Sequence, residues 1–148
     1  MAFAIAICAS FWSQIVYSEL GATTDSVRAD QVRFKASRLE TSGPGMITHE
    51  IKLQDGSGIK EYVNSSGVVF AVSWRTRLKP NLQTLLGAQY AMQIASTKSV
   101  LGVANSRAQQ SVRLPNLVLH QAGRVNAFAG LAYVPALVPE GINAENLP

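Results

Sequence analysis

Residues 61–74, EYVNSSGVVFAVSW, join a turn to a strand, and this stretch decides the fold. Residues 64–67 (NSSG) have the composition of a tight turn, in which Gly67 can take the positive φ that most residues avoid. Large apolar side chains then occupy every second position: Val68, Phe70, Val72 and Trp74. A period of two is typical of a strand with one buried face. The stretch therefore predicts a hairpin that leads into a core strand.

The segment before this hairpin shows the same alternation. In residues 47–53, the apolar side chains and His49 share one face, whereas Glu50 lies on the other. Asp55-Gly56 is a strong signal for a hairpin turn, and residues 59–63 follow as the return strand. Three consecutive strands joined by short turns predict an antiparallel meander.

Helical patterns surround the meander. Residues 27–40 predict a helix with a loosely apolar face. Residues 82–97 predict a second helix, because apolar side chains recur there at three- and four-residue spacing after the capping residue Asn81. Residues 98–115 are polar and predict a surface loop, with an extension of the preceding helix as the alternative. Residues 117–134 predict a second hairpin. The expected fold is therefore α+β, a small antiparallel sheet of a three-strand meander plus a C-terminal hairpin, with two helices packed on it.

The N-terminal segment has the features of an export signal. Residues 2–12, AFAIAICASFW, form an uncharged apolar run that suits a signal peptide and is too short to span a bilayer. Cleavage after Ser18 would make residues 1–18 a signal peptide and residues 19–148 a single α+β domain. It would also remove Cys8, the one cysteine. An uncleaved membrane anchor and an N-terminal helix of the domain are the alternatives, because no basic residue precedes the run.

Composition and motifs disfavour several functional classes. The 13 Lys and Arg residues outnumber the 9 Asp and Glu residues, but they are spread along the chain without the dense basic stripe of nucleic-acid binders. The single cysteine and two histidines form no metal-binding motif. The sequence also lacks a GxSxG elbow, a P-loop and a Rossmann fingerprint. We therefore expect no nucleic-acid partner, metal or cofactor, and we assign no catalytic residue.

Seven residues remain candidates for a functional surface or a ligand site. They are charged, imidazole or phenol side chains in the predicted strands and turns: His49, Glu50, Glu61, Tyr62, Arg75, His120 and Arg124. Glu50 and Glu61 lie on adjacent strands, and both are expected to face solvent. His49 and His120 belong to distant strands and can meet only across the sheet. A small hydrolase with a site built around these two histidines is therefore the alternative function.

Three blocks of sequence carry a family resemblance: HEIKLQDGSGIKEYVNSSGVVFAVSW (49–74), PNLQTLLG (80–87) and LVLHQAGRVNAFAGLAYVPALVPEGI (117–142). They resemble an uncharacterised family of exported proteobacterial proteins, the domain of unknown function 2844, over about residues 20–142. The resemblance implies export, a small domain and a bacterial source. It implies no activity, because none is assigned to the family.

The sequence thus predicts an exported bacterial protein, periplasmic or extracellular, that acts as a small non-catalytic binding or envelope-associated module. Another envelope protein is a partner that this interpretation allows. A membrane becomes a partner only if the N-terminal segment is retained.

Overall fold

A computed structural model describes residues 20–23, 37–101 and 109–148. Within them the chain forms seven strands: β1 (Ser37–Gly43), β2 (Met46–Lys52), β3 (Gly58–Asn64), β4 (Val69–Thr76), β5 (Gln109–Leu114), β6 (Leu117–Arg124) and β7 (Ala127–Tyr133). They make one antiparallel sheet in the order β1-β2-β3-β4-β7-β6-β5. The central pair of β4 and β7 therefore joins an N-terminal meander to a C-terminal one.

Two helices follow β4. Asn81 caps α1 (Leu82–Leu86), because its side-chain oxygen accepts from the main-chain N–H of Gln83 at 2.9 Å. Gly87, with a φ of +89°, separates α1 from α2 (Ala88–Leu101). The helix predicted over residues 82–97 is thus confirmed, in two pieces. Among the described residues, no helix is both long enough and apolar enough to span a bilayer.

The predicted fold class is wrong. One seven-stranded sheet replaces the predicted three-strand meander plus hairpin. Of the helix predicted over residues 27–40, residues 37–40 belong to β1, and the rest falls in residues 24–36, which lie outside the described residues. Both unpredicted strands, β1 and β5, lie at the edges of the sheet and are polar. Main-chain hydrogen bonds hold such strands, so little apolar alternation marks them in the sequence.

The loop predicted over residues 98–115 is too long at both ends. Helix α2 continues to Leu101, and β5 begins at Gln109. Residues 102–108 lie outside the described residues, as does the predicted signal peptide over residues 1–18.

The turn of the opening stretch is confirmed. Asn64 Oδ1 accepts from the main-chain N–H groups of Ser66 and Val68, both at 3.1 Å, and Gly67 has a φ of +75°. The earlier hairpin turn is confirmed as well. There the Asp55 carboxylate accepts from the main-chain N–H and the hydroxyl of Ser57, both at 2.9 Å.

A β-bulge changes the faces of β4. Tyr62 pairs with Ala71 and Val63 pairs with Val69, so Phe70 is an extra residue on its strand. Phe70 and Ala71 therefore pack in the same cluster, and Phe70 does not share a face with Trp74 as predicted.

The two faces of the sheet are covered by different elements. On the helix face, Leu85, Leu86 and Ile94 of the helices pack on an apolar cluster of strand residues. On the opposite face, the C-terminal residues 135–148, here called the tail, pack on a second cluster that includes Tyr62. We call this the tail face. The tail covers only part of it, so a polar region of the sheet stays open.

Candidate functional site

The two histidines lie on opposite faces of the sheet. The cross-strand partners of His49 form a row of residues whose side chains point to the helix face: Glu61, Val72, Ala132 and Leu119. His120 is the residue after Leu119, so its side chain points to the tail face. Four strand spacings of about 4.8 Å also separate their strands, β2 and β6. His49 and His120 therefore do not meet, and the alternative of a hydrolase site built around the two histidines has no support in this geometry.

His49 and Glu61 are buried, not part of a surface. Each is 2% exposed, and they are directly paired across β2 and β3. Glu40, on the other side of His49, places Oε2 3.5 Å from His49 Nδ1. The expectation that Glu61 faces solvent is wrong, because β3 is an inner strand and its helix face is covered. Both residues are thus internal features of the fold.

An open groove of about 1060 Å³ runs across the uncovered part of the tail face. We call it the tail-face groove. Two rows of side chains on that face form its floor, each crossing the strands from β2 to β5. The inner row is Glu50, Lys60, Ser73, Leu131, His120 and Ser111, and the outer row is Lys52, Gly58, Arg75, Ala129, Ala122 and Gln109. Because the outer row contains glycine and alanine, the groove floor there lies close to the main chain of the sheet.

The tail forms the inner wall of this groove. The main-chain oxygen of Pro148 accepts hydrogen bonds from the Tyr62 hydroxyl and from Ser73 Oγ, the latter at 2.8 Å. Tyr62 is buried, and burial raises the pKa of its phenol. The predicted candidate Tyr62 is therefore an anchor for the tail and not an exposed ligand residue.

A second anchor holds the tail nearer β5. The Glu145 carboxylate accepts from Arg113 Nη2 at 2.9 Å and from the Tyr133 hydroxyl at 3.2 Å. The Arg113 hydrogen bond is the main reason that the pKa of Glu145 lies below its usual range. The carboxylate thus stays ionised at neutral pH and binds the tail to the sheet.

Cations outnumber carboxylates in the groove. Four Lys and Arg side chains and two Glu side chains line it: Lys52, Lys60, Arg75, Arg113, Glu50 and Glu145. Lys52 lies 3.7 Å from Glu50, and Arg113 is paired with Glu145. Lys60 and Arg75 form no salt bridge within the part of the chain that the structure describes. Among the described residues, the groove therefore presents two cations that form no salt bridge, although Glu50 is directly opposite Lys60.

Arg75 also borders a second depression of about 420 Å³ at the β6–β7 hairpin. Arg124 lies there, over a floor of small residues that includes Ala122 and Ala129. Of the predicted candidates, Glu50, Arg75 and His120 thus line the tail-face groove, and Arg124 lies beside it.

The far end of the groove carries a hydrogen-bonded pair. Ser111 Oγ lies 2.8 Å from His120 Nδ1, and the two residues are directly opposite each other on β5 and β6. Contacts of this kind are ordinary between paired residues of adjacent strands. Among the residues described, no group of three or more His, Cys, Asp or Glu side chains could hold a metal ion. The groove thus offers charge and hydrogen bonds to a ligand.

Sequence reasoning missed several groove residues. Lys60 could have been found, because strand alternation places it on the same face as Glu50. Ser111 and Glu145 could not, because β5 was predicted as a loop and the tail showed no pattern.

One comparison with known proteins gives a match. The family described as "Protein of unknown function (DUF2844)" matches residues 16–147. The chain belongs to this family. No curated protein and no solved structure matches the chain. Membership of DUF2844 confirms the predicted family and its uncharacterised status. It leaves export and a bacterial source as predictions.

Proposed function

We propose that this DUF2844 member is an exported, non-catalytic binding module that takes an anionic ligand in the tail-face groove. The observation that supports it best is the pair Lys60 and Arg75, two cations on the open floor of the groove that form no salt bridge with any residue the structure describes. The groove offers room for a ligand and hydrogen-bonding groups along its length.

The expected binding is electrostatic. An exposed ion pair contributes only about 0.2–1 kcal/mol, so a single cation would not hold a ligand. Several contacts across the groove must act together, with Lys60 and Arg75 at the centre. Because exposed charges are screened by salt, the affinity should fall as ionic strength rises.

The binding proposal is tested with two charge reversals and a matched control. Lys60→Glu and Arg75→Glu place a negative charge in the groove, whereas Lys79→Glu makes the same change at an exposed site outside it. Calorimetric titration with polyglutamate, polygalacturonate and inorganic phosphate measures the affinity. We expect each groove variant to bind about three- to tenfold more weakly and the control to bind normally. Equal affinities for all three variants would refute the proposal.

Export rests on residues 2–12 and on the cleavage site after Ser18. It is tested by expressing the whole chain in a bacterium with two membranes, followed by fractionation and intact-mass measurement. We expect a periplasmic or secreted product that begins at Glu19. A cytoplasmic product with its N-terminus intact would contradict export and leave the groove experiment unaffected.

A further inference from the structure

We infer that the ligand of the tail-face groove is an extended acidic segment of a partner protein, lying across the strands beside the tail. This inference rests on the proposed function and specifies its ligand class. It is supported by the contacts of the tail itself, by the spacing of the groove cations and by the shape of the groove floor.

The tail already binds to this face as an acidic peptide. Glu145 places its carboxylate on Arg113 and Tyr133, while the main-chain oxygen of Pro148 accepts from Tyr62 and Ser73. Between these two anchors, Leu147 packs on the apolar cluster of the tail face. This face of the sheet therefore binds a carboxylate, a main-chain oxygen and an apolar side chain in one short segment.

The same kinds of groups recur in the open groove. Lys60 and Arg75 are available to carboxylates, and the Ser111–His120 pair is available to main-chain groups. Leu131 is partly exposed between them and offers an apolar contact. A second acidic segment can thus be recognised by the chemistry that holds the tail.

The two cations have the spacing of alternate side chains in an extended peptide. Lys60 pairs with Ser73, and Arg75 is two residues further along β4. Such diagonal neighbours have Cα atoms about 7–8 Å apart. Side chains at positions i and i+2 of an extended chain are about 7 Å apart, at about 3.4 Å per residue. Two acidic side chains in alternation therefore fit Lys60 and Arg75 together, in a segment that crosses β3 and β4 obliquely.

The groove floor favours a peptide over a sugar polymer or a nucleic acid. From β2 to β5 it crosses five strand spacings of about 4.8 Å, which is the length of about seven extended residues. Bases and sugar rings are commonly held by stacking on aromatic faces. Among the described residues that line the groove, Trp74 is the one Phe, Tyr or Trp side chain, and it is only 3% exposed. The small residues Gly58, Ala122 and Ala129 leave room for the main chain of a bound peptide to approach the sheet.

The inference is tested with labelled seven-residue peptides and the purified protein, by fluorescence anisotropy. One peptide carries Glu at alternate positions, and its matched control carries Gln there. We expect the Glu peptide to bind at least tenfold more tightly, and Lys60→Glu and Arg75→Glu to reduce that difference. Lys79→Glu should leave it unchanged.

Competing anions separate the two proposals. Polygalacturonate or phosphate binding that depends on Arg75, with no binding of the Glu peptide, would overturn the inference and leave the proposed function standing. If none of these anions binds the protein, the proposed function fails and the inference fails with it. Equal affinity for the Glu and Gln peptides would also overturn the inference, because recognition would then not depend on carboxylates.

Discussion

His49 and Glu61 lie directly opposite each other on β2 and β3, each only 2% exposed, on a face that is otherwise mainly apolar. Glu40 continues the row on β1, although its own side chain is 53% exposed. Burying ionisable groups is costly unless they are paired, so the members of this row should depend on one another energetically.

Replacing either buried member should destabilise the protein. His49→Ala and Glu61→Ala are each expected to reduce the free energy of unfolding by about 3 kcal/mol. Each substitution leaves an ionisable group buried without the neighbour that it faces in the native sheet. In the double variant, the effects should depart from additivity by about 1–3 kcal/mol. Urea denaturation measures these values, with the exposed Glu140→Ala as control. Additive effects within about 0.5 kcal/mol would show that the two residues are independent.

Gly130 should tolerate no side chain. A Cβ at this position would lie 2.3 Å from Trp74 Cζ2 and 2.8 Å from the Cβ of Gln121, so the indole would have to move. Gly130→Ala is expected to cost about 1–3 kcal/mol in unfolding free energy. Gly58→Ala is the matched control, because a Cβ there meets nothing within 4 Å. Similar losses for both variants would contradict the packing described here.

Acid should release the tail at its Glu145 anchor. The hydrogen bond from Arg113 holds the pKa of Glu145 below its usual value near 4.5. Because the folded-state pKa is lowered, the contact stabilises the folded state fully above pH 4.5, and this contribution is lost as pH falls through the lowered value. We expect reduced protection of the amides of residues 145–147 in that acidic range, relative to the intrinsic exchange rate at each pH. Glu145→Gln should show fast exchange at pH 7 already, and an unchanged exchange profile in this variant would contradict the anchor.

Asn64 should contribute more to stability than its neighbours in the turn. Its side chain accepts from Ser66 and Val68 and donates to the carbonyl of Leu137 at 3.2 Å. Asn64→Ala is expected to cost about 1–3 kcal/mol. Asn64→Asp keeps the acceptor but places a carboxylate oxygen against the carbonyl oxygen of Leu137, so it should recover only part of that loss. Ser65→Ala, at an exposed turn position, is the control and should change stability by less than about 0.5 kcal/mol in urea denaturation.

The strands that the sequence marks clearly are those whose side chains alternate or whose turns carry specific residues. Asp55-Gly56 and Asn64–Gly67 located the turns of β2, β3 and β4 because glycine with positive φ stands at each. Gly45, with a φ of +74°, likewise stands at the turn after β1, but β1 itself shows no apolar alternation: Leu39 is 57% exposed and the pairing is made by the main chain. Edge strands of this kind are set by the partner strand, and so local sequence does not reveal them.

The candidate site was predictable only in part, for a related reason. Alternation places Glu50, Arg75 and His120 on the correct face, but it gives no order of strands within the sheet. Only the pairing of β4 with β7 brings Arg75 and His120 into one groove, and that contact is distant in sequence. The bulge at Phe70 likewise depends on the register of β3 and β4, and the alternation of side chains in the sequence does not indicate that register.

The pairing of β4 with β7 also sets the order in which the fold can form. Until residues 127–133 are available, β4 is an unprotected edge carrying the apolar side chains of Val69, Val72 and Trp74. Such an edge is a template for pairing with other chains, and contacts between distant segments form slowly. The newly made N-terminal meander therefore stays open to self-association until the last strand arrives to complete the sheet.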